Sequence, residues 1–248
     1  MVTIKSRAEI EKMRAAGKIT ADTFKLIEKH IRPGVSTLEL DKIAYDYIKK
    51  QGATPAQLHY EGFPGSICAS PNSWVVHGIP SKDVVLKEGD IVSIDLVVCK
   101  NGYNADAART FPVGKISDEA QKLIDVTKQS FFEGVKNATH GAKLGDVSAA
   151  IQEYVEDNGF SVVRDLVGHG IGKEMHEDPN VPNYGHKGRG MKLAAGMTLA
   201  VEPMVNAGEY GVVVLDDDWT VETQDGSLSA HYENTILITK GECEILTL

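Results

Sequence analysis

Apolar positions near the start of the chain recur at the spacing of one helix face. Ile10, Met13, Gly17, Phe24, Ile27 and Ile31 keep helical phase behind the capping box Ser6-Arg7-Ala8-Glu9, until Pro33-Gly34 stops the run. A second capping box, Ser36-Thr37-Leu38-Glu39, opens a shorter helix through Leu40, Ile43, Ala44, Tyr47 and Ile48, which Gly52 ends. Ser117 then precedes Leu123, Ile124, Thr127, Phe131 and Val135 on one face, and Asp146 is expected to open a run carrying Val147, Ile151 and Val155 as far as Gly159. Elsewhere the period falls to that of strands. Gly89 to Asp95 and Gly196 to Glu202 each read as a strand ending in a carboxylate. Asn101-Gly102 predicts a tight hairpin that returns through Asp106 to Phe111 and Val113, and a second return strand is expected from His231 through Glu233 to Ile238. The acidic Asp216-Asp217-Asp218 reads as the solvated tip of the second, longer connection.

The helix pair has therefore occurred twice, and an offset of 107 residues aligns residues 18–95 with 125–202 without a gap. Five of the six glycines in the first window (34, 52, 65, 78 and 89) fall on Gly141, Gly159, Gly172, Gly185 and Gly196, where fewer than one coincidence is expected by chance. Phe24 falls on Phe131, Tyr47-Ile48 on Tyr154-Val155, and Asp95 on Glu202. The expected organisation is one domain over 1–248 with two related halves, approximately 1–114 and 115–248. The repeat-related acids should meet at a pseudo-twofold axis, because an ionised carboxylate inside a strand is costly unless it is paired or binds metal.

Composition narrows the class of function. With 248 residues, 42% hydrophobic and 25% charged, the chain is long enough to bury a large core without staples. Lys and Arg total 26 against 35 Asp and Glu, a formal net charge of −9, which argues against nucleic acid or an anionic membrane as the main partner. The charged start lacks the apolar core of a secretory signal, and no apolar run reaches the 18 residues of a membrane span, so a cytoplasmic location is expected. Cys68, Cys99 and Cys243 are odd in number and far apart, which supports neither a disulfide framework nor a thiolate zinc site.

Four carboxylates, Asp95, Asp106, Glu202 and Glu233, sit in or beside apolar strand sequence. Gathered by folding, four buried negative charges would push one another's pKa values up, whereas two dications would neutralise them. Oxygen-rich ligation with one or two imidazoles suits Mn, Fe, Co or Zn in a two-metal hydrolytic site. His169 lies in Gly168-His169-Gly170-Ile171-Gly172, His176 follows seven residues later, and His77 stands in a loop, Val76-His77-Gly78-Ile79-Pro80, at a strand end. The histidines at 30, 59, 140, 186 and 231 have no context that singles them out, although His30 is placed to complement a helix C-terminus.

These motifs, with Val201-Glu202-Pro203, Trp219-Thr220-Val221 and Ser227-Leu228-Ser229-Ala230 leading to Glu233, resemble type I methionine aminopeptidases in their short bacterial form, from the first helix to about Thr239. The resemblance implies the pita-bread fold, an α/β (α+β) arrangement in which two related units of helix pair and antiparallel hairpin share a curved sheet. It implies two divalent cations (Co, Mn, Fe or Zn) on Asp95, Asp106, His169, Glu202 and Glu233, with Asp106 and Glu233 bridging. It also implies Glu202 as the proton relay, His176 at the oxyanion, His77 at the amide nitrogen of the cleaved bond, and a methionine pocket of Tyr60, Phe63, Cys68, Met175 and Trp219. The implied activity is removal of N-terminal methionine from nascent polypeptides whose second residue is small. The implied enzyme is a cytoplasmic monomer that associates transiently with ribosomes. Met175 departs from the aromatic residue often found before His176, Leu166 from the aromatic or Met common at its position, and Glu61 is an unusual acid beside the pocket. The alternatives are a proline-specific pita-bread peptidase, which would usually need a further N-terminal domain, and a non-catalytic binding protein on the same fold, which would be expected to lack ligands.

Overall fold

The computed structural model describes residues 2–248. Helix α1 spans Arg7–Glu28, and its capping box is formed: the Glu9 carboxylate accepts from the Ser6 N–H at 2.7 Å while the Ser6 hydroxyl accepts from the Glu9 N–H. Helix α2, Thr37–Lys50, begins with the same reciprocal pair, Ser36 and Glu39. Ser117 caps α3, Asp118–Val135, through the Ala120 N–H. Helix α4 runs from Leu144 to Asp157 and starts three residues before the expected position. Its N-cap residue is Lys143, and Asp146 acts from the third helical position, accepting the Lys143 N–H at 2.9 Å and the Gly188 N–H at 2.7 Å. Among the described residues no helix is long and apolar enough to cross a membrane.

Among the described residues nine strands form the main sheet. Its path runs Thr54–Pro55, Ile91–Lys100, Tyr103–Pro112, Glu233–Leu237, Thr198–Val201, Gly168–Gly170 and Glu177–Val181, with Cys68–Pro71 and Glu244–Ile245 added at the sides. The first hairpin is in continuous antiparallel register from Ile91↔Pro112 to Lys100↔Tyr103. Asn101 and Gly102 both turn with positive φ, the two-residue geometry that suits the right-handed twist of the flanking strands. At the middle of the sheet the strand Glu233–Leu237 lies antiparallel to both Tyr103–Pro112 and Thr198–Val201.

Both helix pairs cover one face of this sheet. Phe24, Ile27, Leu40 and Ile48 pack with Val92, Ile94, Leu96 and Val98, while Phe131, Val147 and Ile151 pack with Leu199, Val201 and Ile236. Each such side chain, fully buried, contributes about 1.5–3 kcal/mol relative to exposure, so the two cores fix the sheet firmly against its helices. The return strand expected from His231 to Ile238 is broken at Tyr232. Ser229–His231 pairs with Met204–Asn206 in a small three-stranded sheet, and only Glu233–Leu237 joins the main sheet. A second three-stranded sheet pairs Val212–Val214 with Val221–Thr223, and the latter with Trp74–Val76. At the tip between its first two strands, Asp217 is more than a solvated acid: its carboxylate accepts from the Trp219 and Thr220 N–H groups and from the Thr220 hydroxyl, which fixes the turn.

Candidate metal centre and substrate cleft

Strand alternation sends the acids to the face away from the helices. Ile94 and Leu96 enter the helix-side core, so Asp95 between them points the other way. The same parity separates Asp106 from Ala107 and Glu233 from Ile236. In the register, Ala108 pairs with Asp95 on one side and Glu233 on the other, so a methyl group stands where a larger side chain would crowd the acids. The Thr235 hydroxyl ties the central strands together, accepting from the Asp106 N–H at 2.8 Å and donating to the Asp106 carbonyl at 2.9 Å. Arg109, half-buried over the Tyr232 ring, donates to the Glu233 carbonyl.

His169 joins this group from Gly168–Gly170. A Cβ on Gly168 would meet the Ala200 carbonyl at 2.4 Å and one on Gly170 the Asp178 carbonyl at 2.1 Å, so the histidine strand lies this close to its neighbours only with glycine on both sides. Its Nδ1 lies 2.8 Å from the Gly170 carbonyl, which places the ring proton on Nδ1 and leaves the Nε2 lone pair facing Asp106 Oδ2 at 3.7 Å and Glu202 Oε1 at 3.6 Å.

The electrostatics are those of a site built for positive charge. Burial, reinforced by the Asp106 charge, pushes the Asp95 carboxyl well above its ordinary range, and its side chain meets that of Asp106. Burial likewise pushes Asp106 up to about 7. Glu202 is raised by burial and then by Asp106 and Asp95, and Glu233 by burial and then by Asp106 and Glu202. Asp106 Oδ1 and Glu233 Oε1 are buried without a hydrogen-bond partner among the described residues. Two trios, Asp106/His169/Glu233 and Glu202/His231/Glu233, bring a ligand atom from each member within 4.8 Å of the others, and they share Glu233. Orphaned carboxylate oxygens beside an imidazole lone pair fit divalent cations.

These groups floor a cleft of about 810 Å³ that also takes in every other residue expected at the site: Tyr60, Phe63, Cys68, His77, Met175, His176 and Trp219. Phe63 and Trp219 meet edge to face at 5.1 Å, and Cys68 and Met175 are buried, giving an aromatic and sulfur-lined recess suited to an unbranched thioether. Burial pushes the Cys68 thiol up, so it is a neutral lining group. His77 follows the strand Trp74–Val76 in a left-handed conformation, with φ 59°, and its ring faces Trp219. The rings of His176 and His169 are 4.4 Å apart, and Tyr60 Oη lies 3.0 Å from His176 Nδ1. Desolvation, followed by the charge of a neighbouring histidine, holds both His77 and His176 down to about 4, so each is neutral at pH 7. Glu177 lines the cleft but is engaged by the first residues: it accepts from Lys5 Nζ at 2.6 Å and Thr3 Oγ1 at 2.7 Å, which anchors them there.

Two residues of the site carried no signal of their own in the sequence. Gln57 donates to Asp95 Oδ1 at 3.0 Å from a loop of no distinctive pattern. His231, unremarkable by context, is fully buried in the cluster. Its position two residues before Glu233 is the period of a strand, the one feature that could have placed it on the acids' face.

Residues 11–240 match the profile of metallopeptidase family M24. The methionine aminopeptidase of Clostridium acetobutylicum is 60% identical over 248 residues, spanning 100% of this chain and 99% of that protein. The crystal structure of methionine aminopeptidase from Rickettsia prowazekii superposes with a TM-score of 0.98 at 46% identity, covering 100% of both chains. X-Pro aminopeptidase from Thermotoga maritima shares the fold at a TM-score of 0.77 and 24% identity, and the match spans 99% of this chain but 62% of that one.

Proposed function

The chain belongs to metallopeptidase family M24, and from that premise we propose that it is a methionine aminopeptidase on a pita-bread fold, hydrolysing the first peptide bond of polypeptides that begin with methionine. One observation carries this reading: the four-carboxylate cluster with His169 opens directly onto the recess of Phe63, Cys68, Met175 and Trp219. Asp95, Asp106, His169, Glu202 and Glu233 would hold two divalent cations, with Asp106 and Glu233 serving both. Bound there, the cations supply Lewis-acid polarisation of the scissile carbonyl and activation of the attacking water.

The side chains do the rest. The acidic floor receives the free α-amino group while the recess takes the methionine side chain. Neutral His176, with the Tyr60 hydroxyl donating to Nδ1, carries its proton on Nε2 and donates it as a hydrogen bond to the developing oxyanion. His77 meets the amide nitrogen of the bond that breaks, and Glu202 moves the proton to the departing amine. A small second residue is what the resemblance to methionine aminopeptidases implies. The two halves, 1–114 and 115–248, each contribute a helix pair and a sheet segment to one domain, with Phe24 and Phe131 in corresponding cores. We place the protein in the cytoplasm as a monomer acting on nascent chains in transient association with the ribosome; the net charge of −9 supports neither nucleic acid as substrate nor membrane attachment.

Initial rates on Met-Ala, Leu-Ala, formyl-Met-Ala and X-Pro peptides, each with Mn, Fe, Co and Zn, test this. Met-Ala alone should be cleaved efficiently. Comparable rates on Leu-Ala and formyl-Met-Ala would contradict the recess and the amine requirement, and selective X-Pro cleavage would assign the chain to the proline-specific peptidases.

A further inference from the structure

His231 is 1% exposed, and neither ring nitrogen has a hydrogen-bond partner among the described residues. Its backbone is held on both sides by one hydroxyl. The His231 N–H donates to Thr110 Oγ1 at 2.8 Å, and that hydroxyl donates to the His231 carbonyl at 2.9 Å. The residue also pairs with Met204, two positions after Glu202, so the ring and the Glu202 carboxylate are carried on adjoining segments. His231 Nε2 lies 3.9 Å from Glu202 Oε2, while Oε1 of the same carboxylate lies 3.6 Å from His169 Nε2.

These two imidazoles face Glu202 in different ways. His169 has committed its proton to the Gly170 carbonyl, so its Nε2 and Glu202 Oε1 present lone pairs to each other, an arrangement that a cation between them would satisfy. His231 has no such commitment. A neutral ring with its proton on Nε2 is the complement of a carboxylate oxygen, which can only accept. We propose that His231 is a positioning residue for Glu202: its Nε2–H, 3.9 Å from Oε2 and so beyond a formed hydrogen bond, is the donor nearest that oxygen and favours the carboxylate orientation in which Oε1 faces the cation position shared with His169. Outer partners of this kind fix the orientation of a ligating carboxylate. The inference rests on the metal reading above.

The test is calorimetric titration of the full chain, stripped with chelator, with Mn²⁺. His231→Leu, which removes the donor, should weaken Mn²⁺ binding about 10- to 100-fold, and should lower kcat with KM for a Met-Ala peptide little changed. His231→Gln, which offers an amide N–H, should lose less than the about tenfold that marks loss of such a partner. His231→Asn is too short to reach Oε2 and should behave like His231→Leu, which covers the case in which the leucine variant does not fold; melting of the metal-free proteins identifies that case. Parent-like Mn²⁺ affinity in a folded His231→Leu or His231→Asn overturns the assignment. Equal losses in His231→Gln and His231→Leu overturn it in favour of direct ligation by the imidazole. A parent protein that binds no divalent ion defeats the metal reading itself, a result distinct from both.

Discussion

Tyr60→Phe removes one oxygen and tests how His176 is held. The ring of Tyr60 stands edge to face with His176 at 5.3 Å, and phenylalanine keeps that contact, so what is lost is the hydrogen bond of 3.0 Å to Nδ1. Without it the proton of the neutral imidazole is free to sit on either nitrogen, and only the Nε2–H form can donate to an oxyanion. A neutral hydrogen bond contributes about 0.5–1.5 kcal/mol net, and at about 1.4 kcal/mol per tenfold this lowers kcat roughly 2- to 10-fold. His176→Ala, which removes the donor altogether, should cost on the order of 10²–10³ in kcat. Since Tyr60 acts through His176, adding Tyr60→Phe to His176→Ala should cost nothing further in kcat, a non-additivity that a double-mutant cycle measures. The assay is methionine release from a Met-Ala-Ser peptide at saturating metal, with metal content measured alongside. Parent-like kcat for Tyr60→Phe, or full additivity of the two changes, would show that Tyr60 does not act through His176; activity that fell in step with metal content would make His176 a ligand instead.

Asp106→Asn and Glu233→Gln each remove a carboxylate proposed to serve two cations, and each should lower metal affinity and kcat on the order of 10²-fold or more; wild-type metal binding in either variant would contradict bridging. Thr235→Val leaves the Asp106 N–H and carbonyl without their hydroxyl partner inside the sheet. At about 1–3 kcal/mol per unsatisfied buried group and about 2–4 °C per kcal/mol for a chain of this size, the loss for the two groups should lower the melting temperature by roughly 4–24 °C, and an unchanged value would show that the hydroxyl is not holding the central strands. Trp219→Ala removes one wall of the recess and should lower kcat/KM for Met-Ala at least about tenfold, with the loss much smaller for substrates whose first side chain is short; a uniform loss across substrates would place Trp219 outside the recess.

The helices were legible because their ends are written in side chains. Ser6 with Glu9, Ser36 with Glu39, and Ser117 each cap in the structure as their spacing foretells. The start of α4 was displaced because Lys143 has no side-chain acceptor, and the acid that satisfies its N–H sits three residues inside the helix. The acids of the site were legible as charges interrupting apolar strands, and the register confirms that alternation alone turns them to one face. His231 was hidden by the break at Tyr232, where the chain leaves a small sheet for the main one without any turn residue to announce it. Gln57 was hidden because its contact with Asp95 depends on a loop whose path is set by tertiary packing rather than by local pattern.

The cleft is proposed to hydrolyse peptides through cations held by its carboxylates. This is tested most directly by titrating chelator-treated protein with Mn²⁺ or Co²⁺ while following release of methionine from Met-Ala-Ser. The account predicts no release from metal-free protein, a rise as ions are added, and a plateau by two ions per chain. Full activity in protein shown to be free of metal, or no activity with any divalent ion despite stoichiometric binding, would contradict it.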